Sequence, residues 1–159
     1  MTTTRAGRQW PAELTVTKDP VSGATVRQLT NYRAHSNHSY LTYPCWYDSG
    51  RKLVIASDRD NRVNLFGVDL DSGVLTQLTD WDPARVTNRH SLSKNPVREE
   101  IAFYYDNAVH VLDLATLTTR RLLECPKATP ATWPTSPPTA SPWSRGSVRI
   151  SPTASRWIS

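Results

Sequence analysis

Residues 69–79, Asp-Leu-Asp-Ser-Gly-Val-Leu-Thr-Gln-Leu-Thr, repeat an earlier stretch of the same chain. Residues 19–30 read Asp-Pro-Val-Ser-Gly-Ala-Thr-Val-Arg-Gln-Leu-Thr, with the same Ser-Gly, the same closing Gln-Leu-Thr and one extra residue. A weaker third copy runs from Asp113 to Leu123. Gly23 and Gly73 lie 50 positions apart, and Asp69 and Asp113 lie 44 apart. Self-similarity at this period points to propellers or solenoids before anything else, because one repeat cannot bury its apolar face alone.

The segments between the copies separate those possibilities. Leu53 to Ser57 is a short apolar run suited to a buried strand. A polar turn, Asp58 to Arg62, follows it. Residues 63–70 then place Asn64, Phe66, Val68 and Leu70 on one face, and Val63, Leu65, Gly67 and Asp69 on the other. The turn at Asp71-Ser72-Gly73 and a strand over 74–79 complete the unit. The plan recurs as Ile101 to Tyr105, a tight turn at Asp106-Asn107, and Ala108 to Leu114. No window offers the amphipathic helices of a helical repeat, whereas four short antiparallel strands per ~45 residues make a propeller blade. The expected fold is therefore all-β: a partial β-propeller of about two to three blades with an irregular C-terminal tail. Its divisions are an N-terminal extension (1–18), the partial propeller (19–124) and the tail (125–159). Two blades are well defined, 31–79 and 80–123, and 19–30 reads as the outer strand of an earlier one. Because propellers close with about four or more blades, such an arc exposes strand edges, and self-association through them is expected.

The tail holds seven of the twelve prolines and three of the six tryptophans, and no Leu, Phe, Tyr, Asp, Glu, Asn or Gln. Proline at that density cannot build sheet ladders. A Pro/Ser/Thr-rich disordered segment is one reading. A shifted reading frame near Cys125 is the more economical one. The net charge of +5 also belongs to the tail, which has four basic residues and no acidic one. Residues 1–124 carry fifteen Lys/Arg against fourteen Asp/Glu, which gives a nucleic-acid function no electrostatic support. No membrane span and no secretory leader is expected. Cys45 and Cys125 read as free thiols of a cytoplasmic protein.

No phosphate loop, dinucleotide fingerprint, zinc spacing or Ser-His-Asp order is present. His35 and His38 sit in a polar loop, Tyr32 to Tyr40, between blades. An H-x-x-H pair without further ligands is weak ground for a metal, and satisfied loop histidines are the plainer reading. His90, in Thr87-Asn88-Arg89-His90-Ser91, holds the matching position before the second blade, and His110 takes the place of Phe66 in the strand pattern. In a propeller, the connections 31–43 and 80–92 reach the face where the central channel opens. Each joins arginine to histidine (Arg33, His35 and His38; Arg85, Arg89 and His90), a combination suited to an anionic ligand as well as to ordinary solvated loop charge.

Three stretches resemble the oligogalacturonate lyase family. They are Asp19-Pro20-Val21-Ser22-Gly23 with Arg27-Gln28-Leu29-Thr30; His35-Ser36-Asn37-His38-Ser39-Tyr40-Leu41-Thr42-Tyr43-Pro44; and Trp46 to Leu53 running into Ser57-Asp58-Arg59 and Asn64 to Leu70. The resemblance covers about residues 10–124. Its Asp-Ser-Gly and Gln-Leu-Thr pieces are shared with TolB-like propellers generally, while the His-x-x-His-x-Tyr loop and Trp-Tyr-Asp segment are more specific. The resemblance implies a seven-bladed cytoplasmic propeller that cleaves short pectin-derived oligogalacturonates by β-elimination. It also implies a divalent metal, manganese, and a histidine base, held by later blades and without a match in this chain. A substrate-side contribution is then expected from His35, His38, Arg59, Arg89 and His90, with no catalytic residue and no metal ligand. The alternative is a non-catalytic TolB-like propeller that binds a protein or ligand.

Overall fold

Each copy of the repeat folds into the same hairpin turn, and the aspartate that opens it supplies the reason. The Asp69 carboxylate accepts the N–H groups of Asp71 (3.1 Å) and Ser72 (2.8 Å) and the Ser72 hydroxyl (2.8 Å). The Gly73 N–H closes the turn on the Asp69 carbonyl at 2.8 Å. Asp19 repeats this with Val21, Ser22 and Gly23, and Asp113 with Ala115, Thr116 and Leu117. These donors favour the ionised carboxylate. They hold all three below the usual carboxylate range, led by the Ser22 hydroxyl at Asp19, the Ser72 N–H at Asp69 and the Thr116 N–H at Asp113. The last turn residue has positive φ in every copy: +70° at Gly23, +74° at Gly73 and +58° at Leu117. Glycine adopts that conformation without steric cost and leucine does not.

The computed structural model describes residues 4–40, 42–85 and 87–125, within the unit Met1–Lys127. The two readings of the tail therefore lie almost wholly outside the described residues. Among these residues twelve strands are formed: β1 (Gln9–Trp10), β2 (Thr15–Lys18), β3 (Thr25–Gln28), β4 (Ser36–Asn37), β5 (Trp46–Tyr47), β6 (Lys52–Ser57), β7 (Asn64–Asp69), β8 (Leu75–Gln77), β9 (Thr87–Lys94), β10 (Glu100–Tyr105), β11 (Ala108–Asp113) and β12 (Thr119–Glu124). A single 3-10 turn, Arg59–Asn61, is the one helical element among the described residues. No helix there is long and apolar enough to cross a membrane.

The strands assemble as the repeat predicts. The second blade is one antiparallel sheet in the order β12-β11-β10-β9. The first has β8-β7-β6 with β4 and β5 both paired to the free edge of β6. Two features differ from the sequence reading. The N-terminal stretch is not an appendage: β1 pairs with β8 at Gln9↔Thr76 and Trp10↔Leu75, adding a strand to the outer edge of the first blade. Moreover, 19–30 is half of a hairpin, β2 with β3, so a boundary at residue 19 cuts through its turn. This hairpin pairs with no third strand among the described residues, and both its strands are exposed. A donor–acceptor contact from the Arg27 guanidinium to the Leu70 carbonyl ties it to the first blade.

One core joins the blades, from Trp10, Leu53, Ile55 and Phe66 to Trp81, Leu92, Ile101 and Phe103. Trp10 meets Phe66 edge-on at 6.2 Å, and Trp81 lies against Phe103 (5.1 Å) and stacks on Tyr105 (5.5 Å). Such aromatic pairs add to what burial alone contributes. Gly67, in β7, is required for a different reason than Gly73: a Cβ there would collide with the Tyr47 hydroxyl lying across the strand. Burial is the main cause that holds this hydroxyl well above its ordinary pKa.

Candidate functional site

The two innermost strands break register at the same level, and this organises the site. On the first blade Ser36 pairs with Ser57 and Asn37 with Ala56. The chain then leaves the sheet and returns at Cys45, whose carbonyl accepts the Val54 N–H at 2.9 Å. β5 resumes the pairing at Trp46↔Leu53. On the second blade Thr87 pairs with Tyr105 and Asn88 with Tyr104, and the next pair is Leu92↔Phe103. Residues 89–91 are therefore extra on β9. Both excursions follow a Ser/Thr-Asn pair, and both carry a histidine, His38 or His90. Bulges of this kind re-aim a strand locally and recur beside functional sites.

The first excursion is a built loop. The Ser39 hydroxyl, itself buried, donates to the Tyr43 carbonyl at 2.5 Å. The Tyr43 N–H bonds the Tyr40 carbonyl at 2.9 Å. His38 Nδ1–H donates to the Ser39 carbonyl at 2.8 Å, which leaves Nε2 as the basic nitrogen of the neutral ring. Cys45 anchors the return and is fully buried. Desolvation is the main cause that raises its thiol pKa, against a smaller opposing contribution from Ser39. A group so placed is an inert core residue. Both cysteines are free.

His35 lies at the start of the same strand and is set by Asp58. Its N–H and its Nδ1 reach the two carboxylate oxygens at 2.7 and 3.1 Å. The ring is otherwise open to solvent, at 83% exposure. Around it a depression of about 900 Å³ is lined by Arg5, Tyr32, Arg33, His35, Asp58 and Arg62. The equivalent end of the second blade has a smaller one, about 460 Å³, with Arg85, Tyr105, Asp106, His110, Arg121 and Cys125 among its lining residues. In each a lining arginine is paired to the acidic residue of the neighbouring turn, Arg5 to Asp60 at 4.0 Å and Arg85 to Asp106 at 3.4 Å. His110 packs flat against Phe103 at 5.7 Å, in keeping with a strand residue.

Arg59 departs from expectation. Instead of facing a ligand, its side chain is wholly buried and bonds Glu13 at 2.8 Å. Its Nε donates to the Ser57 hydroxyl at 3.2 Å. Its guanidinium lies among Trp10, Tyr32 and Phe66, at 5.4, 5.1 and 5.0 Å from the ring centroids. Glu13 in turn accepts the N–H groups of Asn31 (2.8 Å) and Tyr32 (3.1 Å). A guanidinium held by a carboxylate and aromatic faces has its donors committed. Arg59 therefore pins the 31–35 connection to the first blade. Of the residues singled out in sequence, His35 and His38 stand exposed on this connection and inner edge. Backbone register places Arg89 and His90 at the matching level of β9, on the inner edge of the second blade, their side chains lying outside the described ones. Sequence reading did not reach Glu13 and met Tyr40 and Tyr43 only as part of the resembling stretch; the shared Ser/Thr-Asn before each histidine was the available sign of the paired excursions.

Among the described residues no three His, Cys, Asp or Glu side chains converge to hold a metal ion. No family model matches the sequence, and no curated protein matches it. The fold, in contrast, is similar to a solved oligogalacturonate lyase in complex with manganese, at 26% identity and a TM-score of 0.64. It is also similar to an oligogalacturonate lyase from Vibrio parahaemolyticus, at 20% identity and a TM-score of 0.65, which speaks to the fold alone. Each likeness covers 73% of this chain and 30% of the lyase. The chain thus spans under a third of the length of the lyases it matches, and the resemblance read in residues 10–124 is carried by the three-dimensional fold.

Proposed function

We propose that this chain is an N-terminal portion of an oligogalacturonate lyase, contributing the substrate-side wall of its site and inactive in elimination on its own. The observation that carries the reading is the pair of aligned inner-edge excursions, bearing His38 and His90, on a fold similar to those lyases. Oligogalacturonate is a polyanion with one carboxylate per ring. Arginine and histidine at one end of the blades suit it, because a guanidinium matches a carboxylate in shape and charge. His35, His38, Arg89 and His90 are the residues proposed to meet substrate, and buried Arg59 holds the 31–35 connection from behind through Glu13.

β-Elimination removes the proton at C5 and expels the oxygen at C4, so it needs a base and a means of holding the developing charge. The divalent metal implied by the resemblance would neutralise the uronate carboxylate. The described residues do not fit such an ion, since no three His, Cys, Asp or Glu side chains converge among them. The reading also places the protein in a reducing cytoplasm, and proposes self-association through its uncovered blade surfaces.

The test offers trigalacturonate and manganese to the 159-residue chain, following calorimetric binding and the ultraviolet absorbance of the 4,5-unsaturated product. Binding with no rise in absorbance is expected. A rise above the protein-free rate would overturn the view of an inactive portion. Absence of binding would remove the substrate wall and favour a propeller that recognises another partner.

A further inference from the structure

We infer that Tyr40 and Tyr43 form a stacking platform for a galacturonate ring of the substrate other than the one undergoing elimination; the inference rests on the function proposed above. The two tyrosines sit on the first inner-edge excursion and remain 61% and 49% exposed, although the residues on either side of the loop, Ser39 and Cys45, are buried. Their ring centroids are 6.4 Å apart with the planes tilted by 49°. The turn that presents them is held by three hydrogen bonds, from Ser39 to the Tyr43 carbonyl, from Tyr43 to the Tyr40 carbonyl and from His38 to the Ser39 carbonyl. Hydrogen bonds at Ser39, Tyr40 and Tyr43 that leave both tyrosine side chains exposed pre-organise them, so less freedom is lost when a ligand settles on them.

The sugar's stereochemistry selects the occupant. In the galacto configuration O4 is axial, which gathers the C3, C4 and C5 hydrogens on one face as an apolar patch. Tyrosine offers such a patch a flat apolar surface and a polar rim for the hydroxyls. That same face carries the C5 hydrogen, so a ring stacked on the platform hides the proton a base must remove. The platform therefore holds a neighbouring ring, and its binding energy positions the reacting ring without touching the reacting bonds.

Saturation-transfer NMR on the full chain tests this, with trigalacturonate and a neutral galactotriose as probes. Saturation concentrated on H3, H4 and H5 of one ring is expected for trigalacturonate. Tyr40→Ala combined with Tyr43→Ala should weaken binding by about tenfold. Tyr40→Phe with Tyr43→Phe, which keeps the rings, should retain the pattern and also shows that substitution here leaves the fold intact. Trigalacturonate binding that survives the alanine pair overturns the platform and leaves the lyase reading standing. Transfer from galactotriose alone, abolished by the alanine pair, keeps a sugar platform and overturns the uronate assignment. Loss in the phenylalanine pair, or no transfer to either sugar, overturns the platform.

Discussion

The two blades share a plan but differ in how deeply it is buried. In the first, β6 and β7 are buried almost without interruption, from Leu53 to Ser57 and from Asn64 to Val68. In the second, β10 alternates, with Ile101 and Phe103 buried and Ala102 and Tyr104 half-exposed. The extent of the covering accounts for the contrast. The first blade packs against Trp10 and the Arg59 assembly and shares its core with Trp81 and Phe103 of the second. Among the described residues the second packs against the first alone, and Leu122 and Leu123 of its outer strand are 46% and 61% exposed. A middle strand of a propeller thus looks like a fully buried strand or a half-buried one according to what packs beside it, not according to its own pattern.

Equivalent positions turn that contrast into measurements of stability by denaturant unfolding. The largest difference is expected between Phe66 and His110, which occupy matching places. Phe66→Ala empties a site 1% exposed and should cost about 3–5 kcal/mol. His110→Ala removes one ring stack from a half-open face and should cost about 0.5–1.5 kcal/mol. Equal costs would mean that the second blade is covered after all.

The turns give a smaller contrast. Gly73 combines positive φ with a close approach, since an added Cβ would lie 2.6 Å from Leu14 Cβ. Gly73→Ala should destabilise by about 1–3 kcal/mol. Leu117 holds the same conformation against its preference while packing partly on the core. Leu117→Gly relieves the first and forfeits the second, for a net change within about 1 kcal/mol. A large loss at Leu117 would show that packing outweighs the strain.

The least effect is expected in acid. Asp69 and Asp113 have folded-state pKa values below their unfolded ones, so their contribution is complete above about pH 4 and fades as pH falls through the folded values. Asp69→Asn should flatten the acid limb of the stability profile more than Asp113→Asn. Both accept two N–H groups, but the Ser72 hydroxyl at 2.8 Å is the second-largest cause of the lowered pKa at Asp69, whereas the Thr116 hydroxyl is the smallest at Asp113. Identical limbs would show that the Ser72 hydroxyl adds nothing to what the N–H groups supply.

Taken by itself, the sequence determined what is local. Asp-x-x-Ser-Gly specifies its turn through one carboxylate and one positive φ, and the runs at 53–57 and 101–105 specify strands, so blade count and spacing were legible. The third dimension decided whatever depends on distant partners. Glu13 meets Arg59 across 46 positions of chain, and an arginine beside a turn has no local mark that it will be buried. Gln9–Trp10 is too short to read as a strand, yet β8 offers it a free edge. The excursions on β4–β5 and β9 became visible only when β6 and β10 supplied the register against which residues are extra. Turn chemistry is settled within a few residues of the chain, whereas burial and register are properties of the neighbour.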